Sequence, residues 1–126
     1  MTAPLQGVRL LLVEDEAMVA IMLEEMLKGL GCEVVGVAGS VAQGLDALEE
    51  ADRRLDAAIL DVNLGGEKVY PVADRLAAKG VPYIFSTGYG LAGIAQGYAR
   101  VPALAKPYGP EALEETLLTV LGDRAG

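Results

Sequence analysis

The chain has no histidine and no tryptophan, and it has a single cysteine among its 126 residues. Because Cys32 has no second cysteine to pair with, an intramolecular disulfide is excluded, and a reducing compartment is consistent with this. The absence of histidine excludes a Ser/His/Asp or Cys/His catalytic pair. Together with the single cysteine, it also excludes a zinc site built from the usual ligands.

Basic residues are few as well: 10 lysines and arginines stand against 18 acidic residues, for a net charge of −8. A nucleic-acid-binding surface needs a basic stripe, so no nucleic-acid partner is expected. No apolar run reaches membrane-spanning length, and no basic-then-apolar leader opens the chain. We therefore expect a cytoplasmic protein with no membrane partner.

The length and the 52% hydrophobic content predict one folded domain over residues 1–126, with a core from about 8 to 121. Apolar runs of strand length alternate with segments of helical periodicity. This alternation predicts a flavodoxin-like, doubly wound sheet of five parallel strands in the order 2-1-3-4-5, with helices on both faces. The predicted strands are 8–13, 33–38, 57–60, 81–86 and 101–105, and the predicted helices are 16–30, 41–51, 70–79 and 110–121.

Two local patterns refine this prediction. Ser40 is a favourable N-cap for the second helix, whose inward residues are predicted to be Ala42, Leu45 and Leu48. Residues 87–99 contain four glycines, each of which weakens a helix. We expect a short or mobile fourth helix, or a loop, in that stretch.

Polar residues follow four of the apolar runs: Glu14 and Asp15, then Asp61, Thr87 and Lys106. Because all C-terminal ends of a parallel sheet face one edge, these side chains are predicted to meet there, where open α/β sheets bind ligands. Each residue alone also fits an ordinary role, as a turn residue, a surface cation or a helix-start charge. The complete set on separate strand ends is what points to a functional site.

Three carboxylates at one edge repel one another unless a cation lies between them, and oxygen ligands favour Mg²⁺. Asp15 is predicted to bind the metal directly, and Glu14 to act through water or through its field. Lys106 suits a phosphate as a point charge, and Thr87 offers a hydroxyl. Asp61 is the candidate nucleophile, since a carboxylate can attack phosphorus to give an aspartyl phosphate.

The sequence resembles the response-regulator receiver domains of two-component signalling over residues 8–121. The resemblance rests on Leu12-Val13-Glu14-Asp15-Glu16, Leu60-Asp61-Val62-Asn63-Leu64, Ser86-Thr87-Gly88 and Lys106-Pro107-Tyr108. It implies phosphorylation of Asp61 by a sensor histidine kinase or a phosphotransfer protein, with slow autodephosphorylation. It also implies Mg²⁺ held by Asp15, Asp61 and the backbone carbonyl of Asn63, and a cis bond before Pro107.

A narrower resemblance is to the FATGUY receivers, through Phe85-Ser86-Thr87-Gly88-Tyr89-Gly90 and Tyr70-Pro71-Val72-Ala73-Asp74. Ser86 stands where that motif has alanine, and Ala103 stands where receivers usually carry an aromatic switch residue. The resemblance implies a loosely structured fourth helix and a kinase of the HWE or HisKA-type-2 class. Asn63 and Tyr89 are expected to flank the phosphoryl group and tune its hydrolysis.

The first helix carries a second apolar stripe, formed by Met18, Met22 and Met26 beside Val19. These residues could fill space against neighbouring elements. An alternative is a docking face, because adaptable methionine-rich surfaces suit a partner helix. The corresponding face of receivers meets the kinase, so we expect the stripe to bind the phosphodonor protein.

Several alternatives remain open at this stage. A flavodoxin-like binder of a small ligand lacks its phosphate loop here, because Glu14, Asp15 and Glu16 would repel phosphate. A phosphatase with an Asp nucleophile usually needs a second Asp where Asn63 stands. Two further alternatives are a receiver that binds a partner without phosphorylation and a receiver cut from a larger regulator or hybrid kinase. The short tails favour a single-domain regulator that works through protein contacts or as a phosphate sink.

Overall fold

A computed structural model describes residues 4–50, 54–88 and 90–122. Within those ranges, no helix has the length and apolar character needed to cross a membrane. Five strands of one sheet and four α-helices make up most of this described part of the chain. The strands are β1 (Arg9–Val13), β2 (Glu33–Ala38), β3 (Ala57–Asp61), β4 (Tyr83–Thr87) and β5 (Ala103–Ala105), and the helices are α1 (Ala17–Gly29), α2 (Val41–Glu50), α3 (Tyr70–Ala78) and α4 (Pro110–Leu121).

The five strands form one parallel sheet in the order β2-β1-β3-β4-β5. This confirms the flavodoxin-like order predicted from the alternation of strands and helices. The central strand β3 is buried along its whole length, which explains its continuous apolar run, since a strand covered on both faces has no solvent-facing side. The site-bearing end of the sheet is therefore held by its most buried strand.

A hydrophobic core lies on each face of the sheet. On one face α1 and α4 pack their leucines against the alternate residues of the strands. On the other face α2 and α3 cover the intervening residues, including the fully buried ring of Phe85. The inner faces of α1, α3 and α4 present buried residues at helical spacing: Ala20, Leu23, Leu27, Val72, Ala73, Leu76, Leu113, Leu117 and Leu121.

Helix α2 begins as predicted, because the Ser40 hydroxyl accepts a hydrogen bond from the Gln43 amide at 3.1 Å. Its predicted inward face was partly wrong, since Ala42 is exposed and Gly44 is buried instead. A Cβ placed on Gly44 would lie only 3.0 Å from Val72 Cγ2. The close approach of α2 to α3 thus needs a glycine on the inner face.

The glycine-rich stretch after β4, for which a short helix or a loop was expected, forms two short 3₁₀ turns, Leu91–Gly93 and Gln96–Tyr98. Its end is fixed to α3. The Tyr98 ring stacks on Tyr70 with centroids 4.3 Å apart, and its hydroxyl donates to Asp74 at 2.6 Å. The Ala95 amide donates to the Tyr70 hydroxyl at 2.8 Å.

The segment after β3, predicted as a loop, contains a small antiparallel hairpin between Asn63–Leu64 and Glu67–Lys68. Its turn consists of Gly65 and Gly66, with φ of 56° and 94°. Backbones with positive φ strain residues that carry a Cβ, so this pair of glycines suits the turn. The hairpin lies directly beside the C-terminal end of β3.

Candidate functional site

The C-terminal ends of neighbouring strands carry the predicted site residues. Asp61 is the last residue of β3, Thr87 is the last of β4, Glu14 and Asp15 directly follow β1, and Lys106 directly follows β5. Because β1, β3, β4 and β5 are parallel and adjacent in the sheet, their C-terminal ends lie side by side. Glu14, Asp61 and Thr87 are buried, Lys106 is partly buried and Asp15 is exposed.

The ammonium group of Lys106 joins two buried carboxylates. Its Nζ donates to Glu14 Oε1 at 2.9 Å and to Asp61 Oδ2 at 3.2 Å. Glu14 and Asp61 are only 4% and 6% exposed, so solvent screens these ion pairs little. The contact connects segments 92 and 45 residues apart in sequence. It links the ends of β1, β3 and β5.

Backbone groups hold the same residues in place. Glu14 Oε2 accepts a hydrogen bond from the Glu16 amide at 3.1 Å, and Asp61 Oδ1 accepts one from the Asn63 amide at 3.2 Å. The Lys106 amide donates to the Thr87 carbonyl at 2.8 Å. Each oxygen of Glu14 and of Asp61 therefore has a donor, which orients both carboxylates before any ligand binds.

Burial shapes the protonation of this pair. The pKa of Glu14 is raised to about 7: burial is the largest cause, the nearby Asp61 also raises it, and the hydrogen bonds from Lys106 and the Glu16 amide lower it. Burial lowers the pKa of Lys106, but its bonds and charge interactions with Glu14 and Asp61 outweigh that effect, so the net shift is upward. Lys106 is thus held firmly in its charged form.

An open depression with a volume of about 470 Å³ lies above these groups. The buried Asp61 and the partly buried Lys106 line it, and so does the exposed Asp15. A Cβ added to Gly65 would lie 3.7 Å from Asp15 Oδ2, so the hairpin backbone runs close beside that carboxylate. The lining consists of Asp15, Glu16, Asp61, Asn63, Gly65, Gly66, Gly88 and Lys106.

The donor set of the depression fits a hard divalent cation. Glu14, Asp15 and Glu16 can bring one carboxylate oxygen each within 4.8 Å of one another, and Asp61 lines the same depression as Asp15 and Glu16. One ammonium cannot balance so many carboxylates, and carboxylate oxygens are the ligands that Mg²⁺ takes. Glu14 is buried and does not line the depression, so Asp15, Glu16 and Asp61, which do, are the better placed ligands.

Other predicted site residues lie in different surroundings. The side-chain oxygen of Asn63 accepts a hydrogen bond from the Lys68 ammonium across the hairpin. The bond before Pro107 is cis, as the resemblance implied. Tyr89 lies outside the described residues. The proposed roles of Asn63 and Tyr89 in hydrolysis stay predictions, as do the ligand role of the Asn63 carbonyl and the chemical role of Thr87.

The methionine stripe of α1 faces solvent in part. Met18 and Met22 are 72% and 60% exposed, whereas Val19 and Met26 are half-buried. A narrow apolar groove of about 110 Å³ runs between α1 and the residues after β5. It begins at Lys106, so it adjoins the acidic site. Its lining is Val19, Met22, Leu23, Met26, Lys106, Pro107 and Tyr108.

Two features of the site were missed from the sequence. Glu16 was assigned to the first helix, but it precedes that helix and lines the depression. The unbroken run Glu14-Asp15-Glu16 was the signal that could have revealed it. The other feature is a hydrogen bond of 3.1 Å between Ser86 Oγ and Tyr108 Oη. No local pattern predicts a pair that lies 22 residues apart.

Comparison with known proteins places this architecture in context. The sequence model of one protein family, the response regulator receiver domain, matches residues 10–118 of this chain. The solution structure of SdrG from Sphingomonas melonis Fr1 is similar at 40% identity and a TM-score of 0.81, over 96% of this chain and 99% of SdrG. A BeF₃-activated conformation of SdrG from Pseudomonas melonis Fr1 matches at 39% identity, with a TM-score of 0.78 and coverage of 92% and 98%.

A longer curated protein is also similar. The phyllosphere-induced regulator PhyR of Methylorubrum extorquens shares 34% identity over 82 residues, which are 64% of this chain and 30% of PhyR. The chain thus spans less than a third of the length of that relative. What PhyR does as a whole protein is not carried over by this match.

Proposed function

Since this chain belongs to the response regulator receiver family, we propose that it is a phosphorylation-dependent signalling module that accepts a phosphoryl group on Asp61. The observation that carries the proposal is the Lys106 ammonium, which binds Asp61 Oδ2 and Glu14 Oε1 beside an acidic depression that Asp61 and Lys106 line. A cation fixed beside a buried, hydrogen-bonded carboxylate is the arrangement that phosphoryl transfer to that carboxylate needs.

The transfer is a displacement at phosphorus. An oxygen of the Asp61 carboxylate forms a new bond to phosphorus while the bond from phosphorus to the donor breaks. The electron pair of that bond leaves with the donor: the histidine imidazole of a kinase, which takes up a proton, or the acetate of acetyl phosphate. Lys106 neutralises charge on the phosphoryl oxygens, and the Thr87 hydroxyl donates to one of them.

Asp15, Glu16 and Asp61 would hold Mg²⁺, with Glu14 acting through its field and the Asn63 carbonyl as a further ligand. When bound, the metal supplies positive charge that offsets repulsion between the carboxylates and the incoming phosphate. The backbone amide of Asn63 already orients the attacking Asp61 carboxylate through its hydrogen bond to Oδ1. Attack therefore begins from a carboxylate whose direction is set by the protein backbone and by Lys106.

The phosphodonor protein is proposed to dock on the methionine stripe of α1. Met18 and Met22 are exposed, and the groove that Met22 and Met26 line reaches Lys106, which binds the acceptor Asp61. A kinase helix laid on this face would bring its phosphohistidine close to Asp61. We propose a sensor histidine kinase of the HWE or HisKA-type-2 class, on the resemblance to FATGUY receivers, or a phosphotransfer protein.

The output is proposed to run through residues 88–98, because Ala103 leaves the usual aromatic switch position without a ring. Thr87 moves toward the phosphoryl group, and the glycines that follow it change conformation. Tyr98 and Ala95 are fixed to α3 by the bonds to Asp74 and Tyr70. The largest change is therefore expected between Gly88 and Ile94, ahead of that anchor.

Binding of beryllofluoride, a phosphoryl mimic, tests the proposal. We expect the wild-type chain to bind it only with Mg²⁺ present, and we expect Asp61→Ala to abolish binding while the chain stays folded. SdrG, the similar protein, has a BeF₃-activated conformation. A binder of small ligands or a receiver that does not take phosphate would give no Asp61-dependent binding. Calorimetry and amide spectra of both chains separate these outcomes.

A further inference from the structure

Ser86 is a polar side chain inside the sheet, beside the acceptor strand. It is 1% exposed and pairs in register with Asp61 on β3 and with Leu104 on β5. Its hydroxyl has a partner in the Tyr108 hydroxyl, 3.1 Å away. A buried hydroxyl without a partner is costly, so the two groups depend on each other. Alanine, which the similar FATGUY motif has at this position, could not form this bond.

Tyr108 belongs to the segment that carries Lys106. The backbone of that segment is bonded to β4 through the Lys106 amide and the Thr87 carbonyl, at 2.8 Å. The Ser86–Tyr108 bond adds a second connection to β4, on the other side of Pro107. Tyr108 also packs against the core under α1 and α4, and it borders the apolar groove. Two adjacent residues of β4 therefore hold the segment 106–108 from both ends.

We propose that Ser86 and Tyr108 are positioning residues, whose hydrogen bond fixes the segment 106–108 so that the Lys106 ammonium stays against Asp61. This inference rests on the proposed phosphorylation of Asp61. Lys106 has a flexible four-carbon stem, so the place of its ammonium depends on where its backbone is held. The bond supplies that restraint without touching the phosphoryl group, and it acts only through Lys106.

A double-mutant cycle isolates the bond. Ser86→Ala and Tyr108→Phe each remove one hydroxyl, and the double variant removes both without leaving a hydroxyl unpaired. Loss of one net hydrogen bond should weaken beryllofluoride binding about two- to tenfold in each single variant. The double variant should be no weaker than the weaker single variant, because the bond can be lost only once. The rate of phosphorylation by acetyl phosphate should fall in parallel.

A Lys106→Ala background separates positioning from a general structural effect. Because the pair acts through Lys106, adding Tyr108→Phe to Lys106→Ala should cause no further loss of phosphorylation rate or beryllofluoride affinity. Mg²⁺ affinity, measured by titration of each chain without a phosphodonor, should be equal in the wild type and the two single variants. Thermal unfolding of each variant reports any structural cost separately.

Several results would overturn the inference. One is a loss of beryllofluoride affinity that multiplies in the double variant, and another is a further loss in the Lys106→Ala background. A parallel fall in Mg²⁺ affinity, or undiminished beryllofluoride binding in both single variants, would also overturn it. A wild-type chain that binds no beryllofluoride would overturn both this inference and the proposed function. A wild-type chain that binds it while the cycle shows no effect would overturn the positioning role alone.

Discussion

A single ammonium group, that of Lys106, serves two buried carboxylates in this protein. At the scale of residues, this arrangement explains why the pKa of Lys106 is raised although burial acts in the opposite direction. Removing one partner from a buried ion pair leaves an uncompensated charge, which costs more than the pair contributes. The contact therefore keeps the Asp61 carboxylate oriented, as the proposed attack on phosphorus requires.

The first prediction concerns Lys106→Ala. Loss of the ammonium removes positive charge from the position where phosphoryl oxygens carry negative charge, so phosphorylation of Asp61 should slow by about 10²-fold or more. The rate is measured by intact mass after mixing with Mg²⁺ and acetyl phosphate. Lys79→Ala, at an exposed lysine after α3, is the matched control and should phosphorylate at the wild-type rate. Equal rates in both variants would exclude the proposed role of Lys106.

At the scale of elements, two segments adjoin the site. Helix α1 presents its methionines next to the acceptor, and the glycine-rich segment is anchored to α3 by Tyr98. Both depend on aromatic or sulfur-containing side chains that pack adaptably rather than on the regular spacing of a core. One is proposed to receive the signal and the other to transmit it.

Met22→Glu tests the receiving surface. A charge at this exposed position disfavours an apolar partner helix, so transfer from a phosphorylated kinase or phosphotransfer protein should fall about tenfold or more. Phosphorylation by acetyl phosphate should be unchanged, because the small donor needs no docking. Ala42→Glu adds the same charge on α2, on the opposite face of the sheet, and should affect neither reaction. An equal loss with both donors in Met22→Glu would argue against docking.

Tyr98 tests the anchor of the transmitting segment. Its hydrogen bond to Asp74, helped by partial burial, raises the pKa of the Tyr98 phenol to about 12 from the usual 10. The protonated phenol is the donor, so the contribution of this bond is complete below pH 10 and is lost as pH rises through about 12. In Asp74→Asn the pKa should fall toward its usual value.

Ring resonances of Tyr98 followed by NMR across the alkaline range would give both values, with Tyr98→Phe used to assign the signal. A wild-type Tyr98 that ionises at its usual pKa would contradict the anchor.

Hydrogen exchange with and without beryllofluoride locates the response to the phosphoryl mimic. Protection should change between Gly88 and Ile94, and an unchanged pattern from Gly88 to Tyr98 would refute the proposed output.

At the scale of the whole molecule, the sheet with a core on each face acts as a rigid support for the site. Leu117 of α4 is fully buried in one core, whereas its neighbour Leu118 is 36% exposed. Leu117→Ala should lower the free energy of unfolding by about 2–5 kcal/mol, because it leaves a cavity that the core cannot fill. Leu118→Ala should cost less than about 1 kcal/mol. Denaturant unfolding of both chains measures the difference, and similar costs would contradict the assigned core.

Much of this architecture is predictable from the sequence because its signals are local. Strands β1 and β3 contain the apolar runs 10–13 and 57–60, and α4 begins with Pro110 and repeats leucine at helical spacing. The sequence is a poorer guide at positions whose burial or conformation depends on contacts with neighbouring elements. Gly44 rather than Ala42 faces inward because α3 approaches closely, and aromatic packing on Tyr70 fixes the glycine-rich segment.

The candidate site shows the same contrast between local sequence signals and contacts made only in the folded chain. That Asp61 and Lys106 share one edge follows from the parallel order of the strands, which the sequence predicts. Their hydrogen-bond partners depend on contacts between distant segments, such as Lys106 with Glu14 and Ser86 with Tyr108. Side-chain direction at such distances is decided by the packing of the folded chain, and no periodicity in the sequence encodes it.

The central claim is that Asp61 carries the phosphoryl group, and mapping of the modified residue tests it most directly. The chain is incubated with Mg²⁺ and acetyl phosphate, reduced with borohydride, which converts an aspartyl phosphate to homoserine, and digested for peptide mass spectrometry. We predict homoserine at position 61 alone, with none formed when Mg²⁺ is removed by a chelator. Homoserine at another aspartate, or an unmodified Asp61 in a folded chain, would contradict the claim.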